Sequence, residues 1–151
     1  MAVPAFQVMS NSTILLPFFG VMLLTLMVWV YMYIRRTSYL LRERIDLRTV
    51  DTPEKSATVI PGTVSLASHN LKNLFELPVI FYAVCLYLFV SDSVDGIYLA
   101  AAWWFLAFRI VHSVIHCTYN KVEHRFAAYI FAAIALWAMV IRGAMQAIGV
   151  I

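Results

Sequence analysis

The chain has 151 residues, of which 63% are hydrophobic and only 13% are charged, and its mean hydropathy is +0.83. Water-soluble domains usually carry about 25% charged residues, so this composition leaves too few charged groups to cover a hydrated surface. It excludes an ordinary soluble enzyme, a disordered segment and a nucleic-acid-binding protein, despite a formal net charge of +3. Two cysteines are too few for a disulfide scaffold. The excess apolar surface indicates an integral membrane protein.

Four apolar windows are each long enough to cross a membrane as a helix, which takes ~20 residues. They lie at about 14–34, 64–90, 97–117 and 126–148. None shows the apolar alternation of a transmembrane β-strand. No Lys or Arg precedes Arg35, whereas a signal peptide begins with a basic region. We predict an all-α integral membrane four-helix bundle with up-down topology, formed by a single domain that covers residues 1–151.

The basic residues predict the orientation of the bundle. The loop at 91–96 contains Asp92 and Asp95 but no Lys or Arg. Two other connections, a long one at about 35–63 and a short one after the third window, together contain Arg35, Arg36, Arg42, Arg44, Arg48, Lys55, Lys121 and Arg125. Because basic loops stay in the cytoplasm, we expect both termini on the opposite side. Arg142 is the one basic residue that lies against this orientation.

The long loop is either a funnel for an anionic substrate or an anchor for lipid phosphates.

Polar residues lie inside three of the windows, where an ionisable group costs several kcal/mol unless it finds a partner. In the second window these are His69, Lys72, Asn73 and Glu76, in the third Arg109, His112 and His116, and at the start of the fourth Arg125 and Tyr129. The spacing i, i+4, i+7 places His69, Asn73 and Glu76 on one helical face, and the spacing i, i+3, i+7 does the same for the set in the third window. With the predicted orientation, all three sets fall in the cytoplasmic halves of their helices, which predicts one polar site there.

Structural roles for some of these residues remain as alternatives. Asn70 and Ser113 are suited to hydrogen bonds between transmembrane helices. Glu76 is placed to form an ion pair with Arg109 on the next helix, or with Lys72 four residues earlier. These interactions would hold the bundle together without any catalytic function.

The chemistry of the polar site is predicted from its charges. His112 and His116 have the i, i+4 spacing of metal ligands, but the chain has only four histidines, and we assign no metal. Lys72, Arg109 and Arg125 instead favour an anion site, because fixed positive charge in a low-dielectric pocket stabilises carboxylates and thiolates.

At these positions the sequence resembles the MAPEG family, the membrane-associated proteins in eicosanoid and glutathione metabolism. The resemblance covers the length of the chain, with four spans and a large first loop. The family motifs are Arg-x-x-x-Asn-x-x-Glu in the second span, Arg-x-x-His-Thr in the third span of the glutathione-dependent prostaglandin E synthases, and an Arg followed four residues later by a Tyr in the fourth. The matching residues are Asn73, Glu76, Arg109, His112, Ser113, Arg125 and Tyr129.

The sequence departs from the prostaglandin synthases at several positions. His69 and Lys72 stand where the synthases have Arg, and His116 stands where they have Tyr. Phe126 follows Arg125 where they have a Ser that acts on the thiol. The strings N-L-F-E-L-P at 73–78 and H-S-x-x-H-x-x-Y-N at 112–120 are more similar to a bacterial-type branch of the family.

The resemblance implies a homotrimer that binds glutathione between subunits near the cytoplasmic face. It implies a transferase or peroxidase that acts on a lipophilic electrophile arriving from the bilayer, in contact with lipids, with the bacterial inner membrane as the expected location. Arg125 and Tyr129 take the catalytic positions, with Arg125 stabilising the thiolate; the implied glutathione contacts are His69, Lys72, Asn73, Glu76, Arg109, His112 and His116. The alternative is a non-catalytic trimer that binds lipid or a small anion, or acts as an accessory subunit.

Overall fold

The regular structure of the protein is helical throughout the described part of the chain, residues 11–150 of a computed structural model. No strand occurs within this range. Short 3-10 helices lie at Asn11–Ile14 and Leu47–Val50. The α-helices are α1 (Leu15–Arg42), α2 (Pro53–Val59), α3 (Gly62–Asn73), α4 (Leu77–Val90), α5 (Gly96–Cys117) and α6 (Val122–Ala147).

Within residues 11–150, four helical segments are long and apolar enough to cross a membrane: Asn11–Arg42, Gly62–Val90, Gly96–Cys117 and Val122–Ala147. They coincide with the four predicted windows, which confirms an all-α, multi-pass membrane protein. The first helix continues past the predicted window to Arg42. The basic segment after it contains α2 and is tied to α1, because Arg36 Nη2 donates to Ser56 Oγ at 3.1 Å.

The second span is interrupted rather than continuous. It consists of α3, which ends at Asn73, and α4, which begins at Leu77. Pro78, the second residue of α4, has no N–H to donate to the preceding turn, and its ring prevents the helix from continuing through this point. Glu76 adopts φ −99° and ψ −102°, outside the helical region. The prediction that Glu76 continues one helical face with His69 and Asn73 is therefore wrong.

The core lies along the centre of the bundle, and large apolar side chains also cover its outside. Phe81 of α4 and Phe105 of α5 are fully buried and stack with ring centroids 4.4 Å apart. All four tryptophans are about half exposed. An exposed apolar surface this extensive is unfavourable in water, so it fits a protein surrounded by lipid or by other subunits.

Polar contacts close the end of the bundle at which α5 begins. The Asp95 side chain caps α5 by accepting from the backbone N–H groups of Ile97 and Tyr98 at 3.0 Å. The Arg142 guanidinium binds both oxygens of Asp95 at 2.9 and 2.5 Å, and it lies 4.3 Å above the Tyr98 ring. The Tyr98 hydroxyl donates to Gln146 Oε1 at 2.6 Å. This end therefore joins α5 to the last turns of α6.

Asp95→Asn distinguishes the contribution of the ion pair to stability from that of the helix cap, because Asn keeps a capping oxygen but loses the charge. The Arg142 hydrogen bonds hold the pKa of the Asp95 carboxyl below its ordinary value. The ion pair therefore stabilises the fold fully at pH values above the ordinary carboxyl pKa. This stabilisation is lost as the pH falls through the lowered pKa of Asp95. At neutral pH we expect Asp95→Asn to lower the free energy of unfolding by about 0.5–1 kcal/mol. Unfolding in detergent micelles across a pH series measures this.

Asp95→Ala is the matched variant, because it removes the cap as well. We expect it to cost about 1 kcal/mol more than Asp95→Asn. The difference between wild type and Asp95→Asn should vanish at acidic pH. A difference that stays constant from neutral to strongly acidic pH would contradict the ion pair.

Gly20→Ala should destabilise the contact between α1 and α5. A Cβ at Gly20 would lie 2.6 Å from Leu106 Cδ2, and Leu106 is buried, so its side chain has little room to move. Overpacking of this kind costs about 1–3 kcal/mol. Gly96→Ala is the control, since a Cβ at Gly96 would meet no neighbouring side chain or backbone within 4 Å. Equal thermal unfolding temperatures for the two variants would contradict the close approach of α1 and α5 at Gly20.

Candidate functional site

The buried polar side chains gather at the opposite end of the bundle from Asp95. Among residues 11–150 they are Asn70, Arg109, His112, Ser113 and His116. All lie on α3 or α5. Arg109 is 0% exposed, His112 2% and His116 3%, so the structure brings three of the candidate site residues together in the interior of the protein.

Arg109 is held by the end of α3. Its Nη2 donates to the backbone carbonyl of Asn73 at 2.8 Å. Asn73 is the last residue of α3, where helix carbonyls lack partners within the helix and carry the negative end of the helix dipole. At the helix break before Pro78 the Asn73 carbonyl therefore accepts from the guanidinium as well as from the Glu76 backbone N–H at 3.4 Å. Sequence reasoning missed this contact. Pro78 was the available signal, because it indicates a helix break beside Asn73.

Asn70 and Ser113 form hydrogen bonds between helices. Ser113 Oγ donates to Asn70 Oδ1 at 3.4 Å, and Asn70 Nδ2 donates to Cys117 Sγ at 3.4 Å. These contacts join α3 to α5. They support the structural interpretation of Asn70 and Ser113.

The first turns of α6 form the other side of the site. His112 Nδ1 lies 3.0 Å from the backbone carbonyl of Arg125, and the His112 and Tyr129 ring centroids are 6.0 Å apart. Arg125 Nη1 donates to Asn120 Oδ1 at 2.7 Å. Asn120 has a φ of 49°, a left-handed conformation that Asn tolerates better than most residues. Sequence reasoning assigned no role to Asn120; an Asn in the short connection between α5 and α6 was its signal.

The remaining candidates lie on the outside of the single chain. His69, Lys72 and Glu76 are exposed, whereas Asn73 is half buried. Between these described residues, Glu76 forms no ion pair with Lys72 or with Arg109. Both predicted ion pairs are therefore wrong. Glu76 lies in the break between α3 and α4, with a non-helical backbone, and not on the helical face that these pairings assume.

His69 and Lys72 line a cavity of about 430 Å³ between α1, α2 and α3. Arg36, Ser65 and Ser68 are among its other lining residues. The acid in the lining, Asp51, is paired with Lys55 at 2.9 Å. The cavity thus has an excess of positive charge and several hydroxyl groups, a combination suited to an anion.

Four side-chain atoms in the site are buried without a hydrogen-bond partner in the described structure: Arg109 Nε and Nη1, His112 Nε2 and His116 Nδ1. Leaving a buried polar atom unpaired costs about 1–3 kcal/mol. Such atoms are rare in folded proteins and demand an explanation. Their concentration on one face of α5 marks it as a part of the bundle whose hydrogen-bonding capacity the described residues leave unsatisfied.

The two buried histidines are neighbours but do not form a recognisable metal centre. Their rings are perpendicular, with centroids 5.5 Å apart. Within the described residues, no group of three or more His, Cys, Asp or Glu side chains is placed to hold a metal ion. The geometry thus provides imidazole and guanidinium groups for hydrogen bonding and proton transfer.

Fold and site together define a multi-pass α-helical membrane protein with a buried guanidinium–imidazole site at one end of its bundle. The MAPEG family model matches residues 14–145. The chain therefore belongs to the MAPEG family. Comparisons with curated proteins and with solved structures found no match. Family membership supports a glutathione-related transferase, peroxidase or related role at the level of the family.

Asn70→Ala and Asn73→Ala should differ in stability although both truncate an Asn on α3. Asn70→Ala leaves the buried Ser113 hydroxyl without its partner, which costs about 1–3 kcal/mol. Among the described residues, the Asn73 side chain has one hydrogen bond, to the His69 carbonyl of its own helix, and Arg109 binds the Asn73 backbone. We expect Asn73→Ala to cost about 0.5 kcal/mol or less. Thermal unfolding in detergent measures the stability of both variants. Equal losses of stability would contradict a structural role for the Asn70 side chain that the Asn73 side chain lacks.

Proposed function

We propose that the protein is a membrane glutathione-dependent transferase or peroxidase that acts on a lipophilic electrophile. The observation that carries this proposal is the set of buried, unpartnered guanidinium and imidazole atoms on α5, at Arg109, His112 and His116. In a chain of the MAPEG family, these atoms are unsatisfied hydrogen-bonding groups close to Arg125 and Tyr129. They lie within an otherwise apolar bundle.

The side chains fit the functional groups of glutathione. Glutathione has two carboxylates, an amine and a thiol. Lys72 and His69, which line the cationic cavity, are suited to carboxylates, and the exposed carboxylate of Glu76 is suited to the amine. Asn73 adds an amide that is half buried beside them. Each polar group of glutathione therefore has a complementary residue type in or beside the site.

Arg125 is the residue that stabilises the thiolate in this proposal. It is half buried, and its hydrogen bond to Asn120 restrains the guanidinium. Lowering the pKa of a bound thiol by two units takes ~2.7 kcal/mol of preferential thiolate stabilisation. One well-placed guanidinium in a partly desolvated site is sufficient for this. Tyr129, whose ring lies beside His112, completes the reacting end of the site.

A homotrimer with glutathione between its subunits agrees with the exposure of the site residues. The buried part of the site is formed by α5, whereas His69, Lys72 and Glu76 are exposed in the single chain. A second subunit would cover these polar residues and part of the outer apolar surface. The lipophilic substrate would enter from the bilayer, with the site near the cytoplasmic face of a bacterial inner membrane and both termini on the other side.

Phe126 favours conjugation or reduction over prostaglandin isomerisation. Its ring is 61% exposed and lies next to Arg125 in the chain. A phenyl ring has no hydrogen-bond donor for a sulfur atom, unlike the serine of the prostaglandin synthases. The substrate in this proposal is therefore an electrophile that the thiolate attacks directly.

Arg125→Ala tests the catalytic assignment. Wild-type protein titrated with glutathione should develop the ultraviolet absorbance of a thiolate at neutral pH and should conjugate chloro-dinitrobenzene. Arg125→Ala should reduce kcat/KM by about 10²-fold or more, the effect of removing one preorganised charge-stabilising donor. Arg42→Ala is the matched control, because its side chain is 86% exposed on the end of α1. Activity retained in Arg125→Ala would contradict the assignment, and no binding of millimolar glutathione by wild type would overturn the proposed function.

The second candidate is a non-catalytic trimer that binds lipid or a small anion, or serves as an accessory subunit. The cavity lined by Arg36, Lys72 and several hydroxyls favours it, since these groups also suit a phosphate. The oligomeric state of Arg125→Ala separates the two candidates. Lost activity in an intact trimer supports the enzyme, whereas dissociation of the trimer supports a structural role for Arg125.

A further inference from the structure

His112 has a defined tautomer when its imidazole is neutral. Its Nδ1 lies 3.0 Å from the carbonyl oxygen of Arg125, and a carbonyl oxygen accepts but does not donate. Nδ1 must therefore carry the proton, and in a neutral imidazole the other nitrogen, Nε2, then has a free lone pair. Nε2 is buried and has no partner in the described structure. His112 thus presents a hydrogen-bond acceptor and potential base to the interior of the site.

Arg109 presents donors on the same face of α5. Its Nε and Nη1 are also buried and unpartnered, while Nη2 is fixed by the Asn73 carbonyl. A group that satisfies both side chains must donate to His112 and accept from Arg109. An ionised carboxylate cannot donate. A neutral thiol meets both requirements, since its S–H donates to His112 and its sulfur accepts from Arg109. Once the proton has moved to His112, the thiolate accepts from both side chains.

We propose that His112 is a catalytic residue that accepts the proton of the glutathione thiol at Nε2. This inference rests on the proposed function, because it needs glutathione in the site. It assigns separate tasks to neighbouring residues. His112 receives the proton, the Arg125 guanidinium stabilises the thiolate, and the Arg125 carbonyl fixes the orientation of the His112 ring.

The proton and electron balance needs no additional reagent. The S–H bond breaks, its electron pair stays on sulfur, and the proton forms an N–H bond at His112 Nε2. The thiolate then forms a carbon–sulfur bond with the electrophile, and the leaving group departs with the electron pair of the bond that breaks. His112 then gives up its proton, to the leaving group where that group is basic or to solvent where it is a weak base such as chloride, which restores the neutral imidazole for the next turnover.

Several other ionisable or charged groups face this region, and each needs to be considered in a pH profile. Arg109 and His116 lie on α5, Arg125 and Tyr129 lie on α6, and His69 and Glu76 lie on α3 and at the α3–α4 junction. Among these, His112 is distinguished by the bond from Nδ1 to a backbone carbonyl. That bond orients its unpartnered Nε2.

His112→Asn is the informative variant, because the Asn amide can occupy the position of Nδ1 and still donate to the Arg125 carbonyl, while no group replaces Nε2. We expect it to bind glutathione with an affinity within a few-fold of wild type. The rate of thiolate formation at neutral pH should fall by about 10²-fold or more, as for the loss of a general base. His124→Asn is the matched control, because His124 is exposed and contacts the Tyr119 hydroxyl outside the site.

Proton release gives a readout that a purely structural role would not change. Calorimetry in buffers of different ionisation enthalpy measures the protons released to solvent when glutathione binds. Wild type should release clearly fewer than one proton per thiolate formed, because His112 retains it. Any thiolate formed by His112→Asn should release about one proton each. S-methylglutathione, which has no thiol proton, should show neither thiolate absorbance nor this difference.

The outcomes separate the inference from the proposed function. Wild-type rates and wild-type proton release in His112→Asn would overturn the role of His112 while leaving glutathione use intact. Failure of wild type to bind glutathione would overturn both. Nitrogen NMR of histidine-labelled wild-type protein gives a test without any variant, and thus holds even if His112→Asn does not fold. It should show the Nδ1–H tautomer for neutral His112, and an Nε2–H tautomer would overturn the inference.

Discussion

Arg109 carries a positive charge into the interior of an apolar bundle, and the arrangement of the site follows from how that charge is accommodated. A buried charge is tolerated only with hydrogen-bond partners. Within the described residues Arg109 has one, the Asn73 carbonyl, which is available because α3 ends before Pro78. The break thus allows the end of α3 to bind Arg109 of α5, and it separates Glu76 from the helical face of His69. Nε and Nη1 of Arg109 are left for a ligand or a second subunit.

Polar residues at this end of the bundle serve two different purposes. Asn70 and Ser113 satisfy each other and join α3 to α5, as polar residues commonly do between membrane helices. Arg109 and His112 are equally buried but retain unpartnered atoms. Burial alone therefore does not distinguish structural from functional polar residues. The distinction lies in whether the hydrogen-bonding capacity of each side chain is satisfied within the chain.

The sequence was sufficient to predict the spans, because ~20 apolar residues in a row leave few alternatives to a membrane helix. It also predicted that polar residues of three spans belong to one end of the bundle, and the structure places Arg109, His112 and Arg125 together there. The helical spacing predicted the wrong position for Glu76, because spacing rules assume an unbroken helix. The sequence could not show that Lys72 lines a cavity between α1, α2 and α3, because this depends on where α1 and α2 pack.

The unpartnered face of α5 is expected to hold a ligand at a boundary between subunits. A structure of the purified protein in its native oligomeric state, determined with glutathione, tests this most directly. We predict glutathione density with its sulfur beside His112 Nε2 and the guanidinium of Arg125, and with Arg109 Nε and Nη1 in hydrogen bonds to the bound molecule. Side chains of a neighbouring subunit that occupy this face and satisfy the same atoms, with no glutathione bound, would contradict it.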